Sequence, residues 1–198
     1  MANALWNNDI VVSVVPTDYG IYTATVVVTA VVGENILQFE GAGASDSVGL
    51  GITNVALIQQ GDTTNTNVLV NGDFSQPNLG GGWATYNSIP GWTALNLEMG
   101  AGPIYNSAWS NSTQIIELDS VVNFEITQDL TFDSNFAVIA NSTSPPACPT
   151  SALFPPANYT LQFDWAPNTV GTANLLTSQA NILWNNVVLD SLVPTNIT

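Results

Sequence analysis

The 198-residue chain contains no lysine, no arginine and no histidine, and its fifteen acidic residues give a formal net charge of −15. Without cations it cannot neutralise a phosphate backbone, which excludes nucleic acid as a direct partner. Anionic membrane surfaces are unsuited to it for the same reason. There is no imidazole base, no Schiff-base lysine and no arginine clamp, so most hydrolytic, phosphoryl-transfer and pyridoxal chemistry is closed to it. Only a carboxylate-only mechanism would survive, and the expectation is a protein that is not an enzyme. Charged residues make up 8% of the chain, against roughly 25% in an average soluble domain. Cys148 is the single cysteine, so no internal disulfide forms; a free thiol in a loop and a bridge between chains both remain open. No apolar run is long enough to span a bilayer as a helix, and no membrane insertion is expected. Met1 is followed by a polar strand pattern rather than a basic and then an apolar segment, so no signal peptide is expected at this end.

What is present begins with a repetition. The chain opens on ANALWNNDIVVSVVPTDYG, Ala2 to Gly20, and closes on ANILWNNVVLDSLVPTNIT, Ala180 to Thr198. Trp6 falls on Trp184, 178 residues later, and the same offset places Asn7 on Asn185, Asn8 on Asn186, Ser13 on Ser191, Pro16 on Pro194 and Thr17 on Thr195 without a gap. This is the signature of a repeat of which the chain holds one period and an overlap. In each copy an Asn-Asn pair separates two apolar runs, which predicts a β-hairpin with a left-handed two-residue turn. A domain with one place for this hairpin has one copy to spare, and a spare strand pair is a means of joining chains.

Between the two copies the signals are those of strands. Ile21 to Val32 alternates Tyr22, Ala24, Val26, Val28 and Ala30 with Thr23, Thr25, Val27 and Thr29, which predicts a strand. Ile36 to Glu40 and Leu50 to Gln59 follow on either side of a glycine-rich loop. Residues 62–66 form a polar linker. Beyond it, Val68 to Val70, Ile115 to Leu118, Phe124 to Leu130 and Tyr159 to Trp165 are predicted strands, with a Ser, Thr and Pro-rich loop between Asp133 and Ala157. No helical periodicity lasts more than two turns. The expected class is all-β, a sandwich or jelly roll. The expected units are the duplicated hairpin 1–20, closing strands 21–61, the linker, and opening strands 67–198 that end in the second hairpin copy.

Several motifs resemble those of the galactose-binding-like jelly-roll domains of secreted plant and bacterial cell-surface proteins. They are NGDF at Asn71 to Phe74 with Pro77, IPGW at Ile89 to Trp92, Leu97-Glu98, ELD at Glu117 to Asp119, ITQ at Ile126 to Gln128, YTLQFDW at Tyr159 to Trp165 and LWNN at Leu183 to Asn186. The closing part of that pattern stands at Leu37 to Gly41 and Asn54 to Leu57, ahead of the opening, so the resemblance is circularly permuted. It implies a galactose-binding-like jelly-roll β-sandwich, carbohydrate-associated or structural, and often in tandem. Where the family carries acidic residues that help hold a structural calcium, this chain has Ser75 and Thr53.

The candidate sites follow from these patterns. Glu40, Asp46, Asp73, Glu98, Asp119 and Asp164 lie near predicted turns, and of these Glu40, Asp46, Asp73 and Asp119 are candidate calcium ligands, with solvated acids as the alternative. No motif fixes Glu98 and Asp119 as a glycosidase pair. Trp83, Tyr86, Tyr105 and Trp109 stand in Gly, Ser and Asn-rich loops, where sugar stacking, subunit contacts and simple packing are all open. Trp92, Phe163, Trp165 and Trp184 sit in strand patterns and are expected in the core. Sequons at Asn111, Asn141, Asn158 and Asn196 predict N-linked glycans, with Asn158 hindered by its strand. The expected function is a structural subunit, or one period of a tandem array, of an extracellular glycosylated fibril. Its partner is itself, joined through Leu5, Trp6, Ile10 and Val12 or their counterparts Leu183 and Trp184. Which copy stays home is left open by the sequence; Ala2 to Pro16 can leave its own domain, and a chain beginning at Ile21 is then expected to stay monomeric with Ala180 to Pro194 filling its own slot. The second expectation is a calcium-dependent carbohydrate-binding module.

Overall fold

The computed structural model describes residues 1–42, 49–110, 113–119, 122–133 and 154–169, with the backbone of 180–184 and 187–192. The elements are β1 (Ala2–Trp6), β2 (Asp9–Val14), β3 (Tyr22–Thr29), β4 (Gly33–Gly41), β5 (Leu50–Gln59), β6 (Trp83–Ile89), β7 (Trp92–Ala101), α1 (Gly102–Tyr105), β8 (Gln114–Glu117), β9 (Glu125–Phe132), β10 (Asn158–Pro167), β11 (Ala180–Trp184) and β12 (Val187–Leu192). The fold is all-β and antiparallel, as the period-two patterns predict.

Among the described residues ten strands form one continuous sheet in the order β2-β1-β4-β9-β7-β8-β5-β10-β3, with β6 on β7. The sheet doubles over at β7. Thr93 and Ala94 pair with β9, while Glu98 to Ala101 pair with β8. The result is a sandwich whose two layers meet across a core. Buried residues alternate along β4 (Asn35, Leu37, Phe39), β9 (Ile126, Gln128, Leu130, Phe132) and β10 (Tyr159, Leu161, Phe163, Trp165). Phe39 of β4 meets Phe163 of β10 edge-on at 4.9 Å between ring centroids. Phe74 and Trp92, from the NGDF and IPGW motifs, join the same cluster at 5.5 Å. Strands from the first third of the chain thus pair with strands from the last two thirds: β4 with β9, and β5 with β10.

The hairpin β6–β7 was not legible in the pattern. Pro90-Gly91 makes its turn, with Gly91 at φ 81° and Ile89 paired to Trp92. Proline presets the first turn position, and glycine takes the positive φ of the second without a Cβ penalty. Val68 to Val70, expected as a strand, forms no ladder: Val68 N donates to Leu57 O at 3.0 Å, Leu69 N to Asn67 Oδ1 at 3.1 Å, and Gln128 holds Val70. Val70 N donates to Gln128 Oε1 at 2.8 Å and Gln128 Nε2 donates to Val70 O at 3.0 Å. A carboxamide offers the donor and acceptor that a neighbouring strand would offer, so both backbone groups of Val70 are satisfied without a ladder.

Candidate functional site

The place that holds the first hairpin is the best-defined binding geometry in the molecule. Asn7 and Asn8 adopt φ of 53° and 68°, the left-handed pair that asparagine tolerates and that matches strand twist. β1 is thereby folded onto β2, and its other edge pairs with β4 from Ala2↔Gly41 to Trp6↔Leu37. Ala2, Ala4 and Trp6 enter the core, and Leu5 on the opposite face is also buried. Ile10 and Val12 are half-buried.

Polar groups fix the register at both ends. At the turn, Trp6 Nε1 donates to Thr29 O at 2.9 Å, and the indole meets Phe132 edge-on at 6.2 Å. Asn7 Nδ2 donates to Asn35 Oδ1 at 3.0 Å, and Asn7 Oδ1 accepts from Ile36 N at 2.8 Å. Asn35 is fully buried and bonds both N and O of Val31. At the open end, Asn3 Nδ2 donates to Glu40 Oε1 at 2.8 Å, while Asn3 Oδ1 accepts from Ser13 Oγ at 2.8 Å. Glu40, expected near a turn as a metal ligand, is the acceptor that seats β1. The Asn3, Asn7 and Asn35 roles were missed at the sequence level, although the repetition of Asn3 and Asn7 as Asn181 and Asn185 was there to read.

The second hairpin has the same internal build. β1 pairs with β2 as Ala2↔Val14, Asn3↔Ser13, Ala4↔Val12, Leu5↔Ile10 and Trp6↔Asp9, with a bulge between Ala4 and Leu5. β11 pairs with β12 as Ala180↔Leu192, Asn181↔Ser191, Ile182↔Asp190, Leu183↔Val188 and Trp184↔Val187, with a bulge between Ile182 and Leu183. Every pair and the bulge repeat at the offset of 178. Yet β11 and β12 form a two-stranded sheet of their own, with no ladder to the main sheet among the described residues. The sequence leaves open which copy stays home; here the N-terminal copy occupies the slot along β4. Ala4 is 1% exposed against Phe39, where Ile182 would bring three more carbons. At half-buried Val12 the second copy has Asp190. The Leu183 and Trp184 side chains lie outside the described residues.

The four loop aromatics separate. Trp83 is exposed and Tyr86 is half-buried, while Tyr105 and Trp109 are buried in a small second cluster with Ile115 and Ala166. The turn α1 causes this inward placement. A Cβ on Gly102 would lie 2.3 Å from Trp109 Cβ, so the glycine is what lets the tryptophan close over the turn. Tyr105 and Trp109 thus offer no open ring face for sugar stacking. A cavity of about 400 Å³ lies nearby, lined by Asn54, Asp73, Ser75, Asn78 and Gln114. Its walls are shaped by Gln114, whose Nε2 donates to Phe74 O at 2.6 Å and Pro77 O at 3.0 Å.

The acidic residues are dispersed. Among the described residues no three His, Cys, Asp or Glu side chains gather as a metal site, and Asp46 lies outside them. Asp73 caps its own loop by accepting from Ser75 N, and Asp119 is buried beside the β5–β8 edge. Glu98 faces Glu117 across the β7–β8 ladder rather than Asp119. Glu98 accepts from Tyr105 Oη at 2.9 Å, and burial with the neighbouring Glu98 carboxylate pushes the Tyr105 phenol up. Glu117 is 2% exposed and accepts from Asn168 Nδ2 at 2.7 Å and Gly49 N at 2.9 Å. Burial pushes its carboxyl up to about 7, with these hydrogen bonds opposing and the charges of Glu98 and Asp119 adding to the rise. Of the sequons, Asn158 is exposed at the start of β10, its Oδ1 accepting from Thr29 Oγ1 at 2.9 Å. Asn111, Asn141 and Asn196 lie outside the described residues.

Comparison of the chain with protein-family models, with curated proteins and with solved structures finds no match.

Proposed function

We propose that this chain is a structural subunit, or one period of a tandem array, of an extracellular glycosylated fibril whose units are joined by hairpin exchange. One observation carries the reading. The molecule contains the same hairpin twice, in the same register and with the same bulge, and its sheet seats one of them. A two-stranded hairpin alone is marginal in water; among the described residues β11 lies beside β2 without pairing to it, so the second copy gains backbone partners by docking on another unit. A contact between the slot of one unit and the tail of the next is head-to-tail, and such contacts build filaments unless the rotation closes a ring. A chain of charge −15 with no internal counter-charge repels itself at close packing; glycans at the sequons and cations would relieve this. The permuted jelly-roll resemblance fits a cell-surface setting. No catalytic role is proposed. Electron micrographs of the protein from its native source should show filaments, and its intact mass should exceed that of the bare polypeptide. Monodisperse particles at high concentration would remove the reading, and a mass equal to the polypeptide would remove its glycan part.

A second reading, calcium-dependent carbohydrate binding, is favoured by the polar cavity beside Asp73 and Gln114, whose amide and hydroxyl lining suits sugar hydroxyls. Calcium-dependent retention on a glycan array, lost in Asp73→Ala, would support it over the first.

A further inference from the structure

We infer that the slot along β4 is a recognition site for the C-terminal hairpin of a second copy of this chain, which enters it in place of the resident β1–β2. The inference deepens the reading of the chain as a self-assembling subunit and rests on it.

Four residues of the first hairpin use a side-chain polar group to hold its register: Asn3, Trp6, Asn7 and Ser13. The second copy carries Asn181, Trp184, Asn185 and Ser191 at the same four positions. The copies diverge through β2, where Asp9 corresponds to Val187, Ile10 to Val188, Val11 to Leu189 and Val12 to Asp190, while Ala2, Leu5, Asn8, Val15, Pro16 and Thr17 also recur. Residues that only needed to form a hairpin would not have to match at Asn3, whose amide faces Glu40 on another strand, or at Trp6, whose indole nitrogen reaches Thr29. Asn3, Trp6 and Asn7 read the slot, and each recurs in the second copy. Their complement is a carboxylate at one end, and at the other the Thr29 carbonyl and the buried Asn35 amide. Among the described residues that set occurs once, and β1 already fills it. A slot whose resident hairpin has opened in another unit of the same fold offers the second copy that complement.

Exchange at the slot replaces like with like, and the resident hairpin holds the advantage of being covalently attached. Entry is limited by how often that hairpin opens. The test uses the full chain and a fluorescent peptide of residues 180–195, read by anisotropy. Asn7→Ala removes two side-chain bonds of the resident hairpin, and should tighten apparent peptide binding about tenfold over the native chain. An Asn181→Asp peptide sets a carboxylate against Glu40 and should bind the Asn7→Ala chain at least about tenfold more weakly than the native peptide. Adding Glu40→Gln to that chain should restore it, because the glutamine can donate to Asp while still accepting from Asn3. Equal uptake by the native and Asn7→Ala chains, equal binding of the two peptides, or no rescue by Glu40→Gln would each overturn the inference. Native filaments without peptide uptake would sink this slot assignment alone. Peptide uptake by a chain that never associates would sink the fibril reading alone.

Discussion

The two hairpins share a turn, a bulge and a register but differ in what surrounds them. The first is the penultimate and edge strands of a sandwich, with Trp6 against Phe132 and Asn7 clamped to Asn35. The second pairs only with itself among the described residues, and β11 lies beside β2 without a ladder to it. Local sequence thus suffices to define the hairpin, and tertiary context decides whether it is part of a fold. Two positions inside the hairpin bias that choice. Ala4 and Val12 suit the core where Ile182 and Asp190 stand in the copy, so the molecule carries a resident that fits closely and a visitor that matches in its polar groups.

The comparison is most exposed to a pair of tryptophan substitutions. Trp6→Ala should destabilise the sandwich by about 3 to 5 kcal/mol, from lost burial and a residual cavity. Trp184→Ala should move the same transition by less than about 0.5 kcal/mol. Urea unfolding followed by far-ultraviolet circular dichroism measures both, and equal losses would mean the two hairpins are not differently placed.

A pH titration separates them another way, because Glu117 belongs to the sheet that seats the first hairpin. Its folded carboxyl is raised from the ordinary 4.5 to about 7, so the folded state holds the proton more tightly than the unfolded chain. Stability is therefore highest below about 4.5 and falls as pH rises through about 7, by on the order of 3 kcal/mol from this group. Glu117→Gln should flatten that slope while peptide exchange at the slot stays unchanged; a slope that persists in the variant would place its cause elsewhere.

Asn3→Ala should cost about 1 to 2 kcal/mol, since it leaves Glu40 and Ser13 without their partner. Amide hydrogen exchange should then speed up at Ala2 to Trp6 with little change in β9 and β10. A smaller gain is expected at Ile182→Ala, which makes the visitor resemble the resident in the core. It should strengthen hairpin entry by a few-fold, on the order of 1 kcal/mol or less. Weaker entry would mean that the isoleucine has a pocket of its own.

The parts of this molecule that sequence made legible are those governed by period-two burial and by repetition. β3, β4, β5, β9 and β10 stand where alternating apolar residues put them, with Tyr22, Ala24, Val26 and Val28 turned inward. The β6–β7 hairpin was hidden because its outer strand is mostly exposed and Leu95, 71% exposed, with Asn96 at φ 57°, interrupts the alternation of its inner one. The carboxamides were hidden for a different reason. Gln114 and Gln128 satisfy backbone groups of residues remote in sequence, and Asn35 holds Val31 while meeting Asn7; nothing local distinguishes such a buried amide from a solvated one. The same limit explains Tyr105 and Trp109: glycine and serine around an aromatic suggest a loop, not which way the ring turns. Which hairpin is resident was not written in the repeat either, since it depends on the volume available opposite Phe39.

The central claim is that the C-terminal hairpin joins one unit to the next, and shortening the chain at either end tests it directly. A chain ending at Gln179 keeps its resident hairpin and loses the visitor, and sedimentation velocity should find it monodisperse at concentrations where the full chain associates. A chain beginning at Ile21 has an open slot and retains the visitor, so it should associate at least as strongly as the full chain. Filaments from the chain ending at Gln179, formed as readily as from the full chain, would contradict the account.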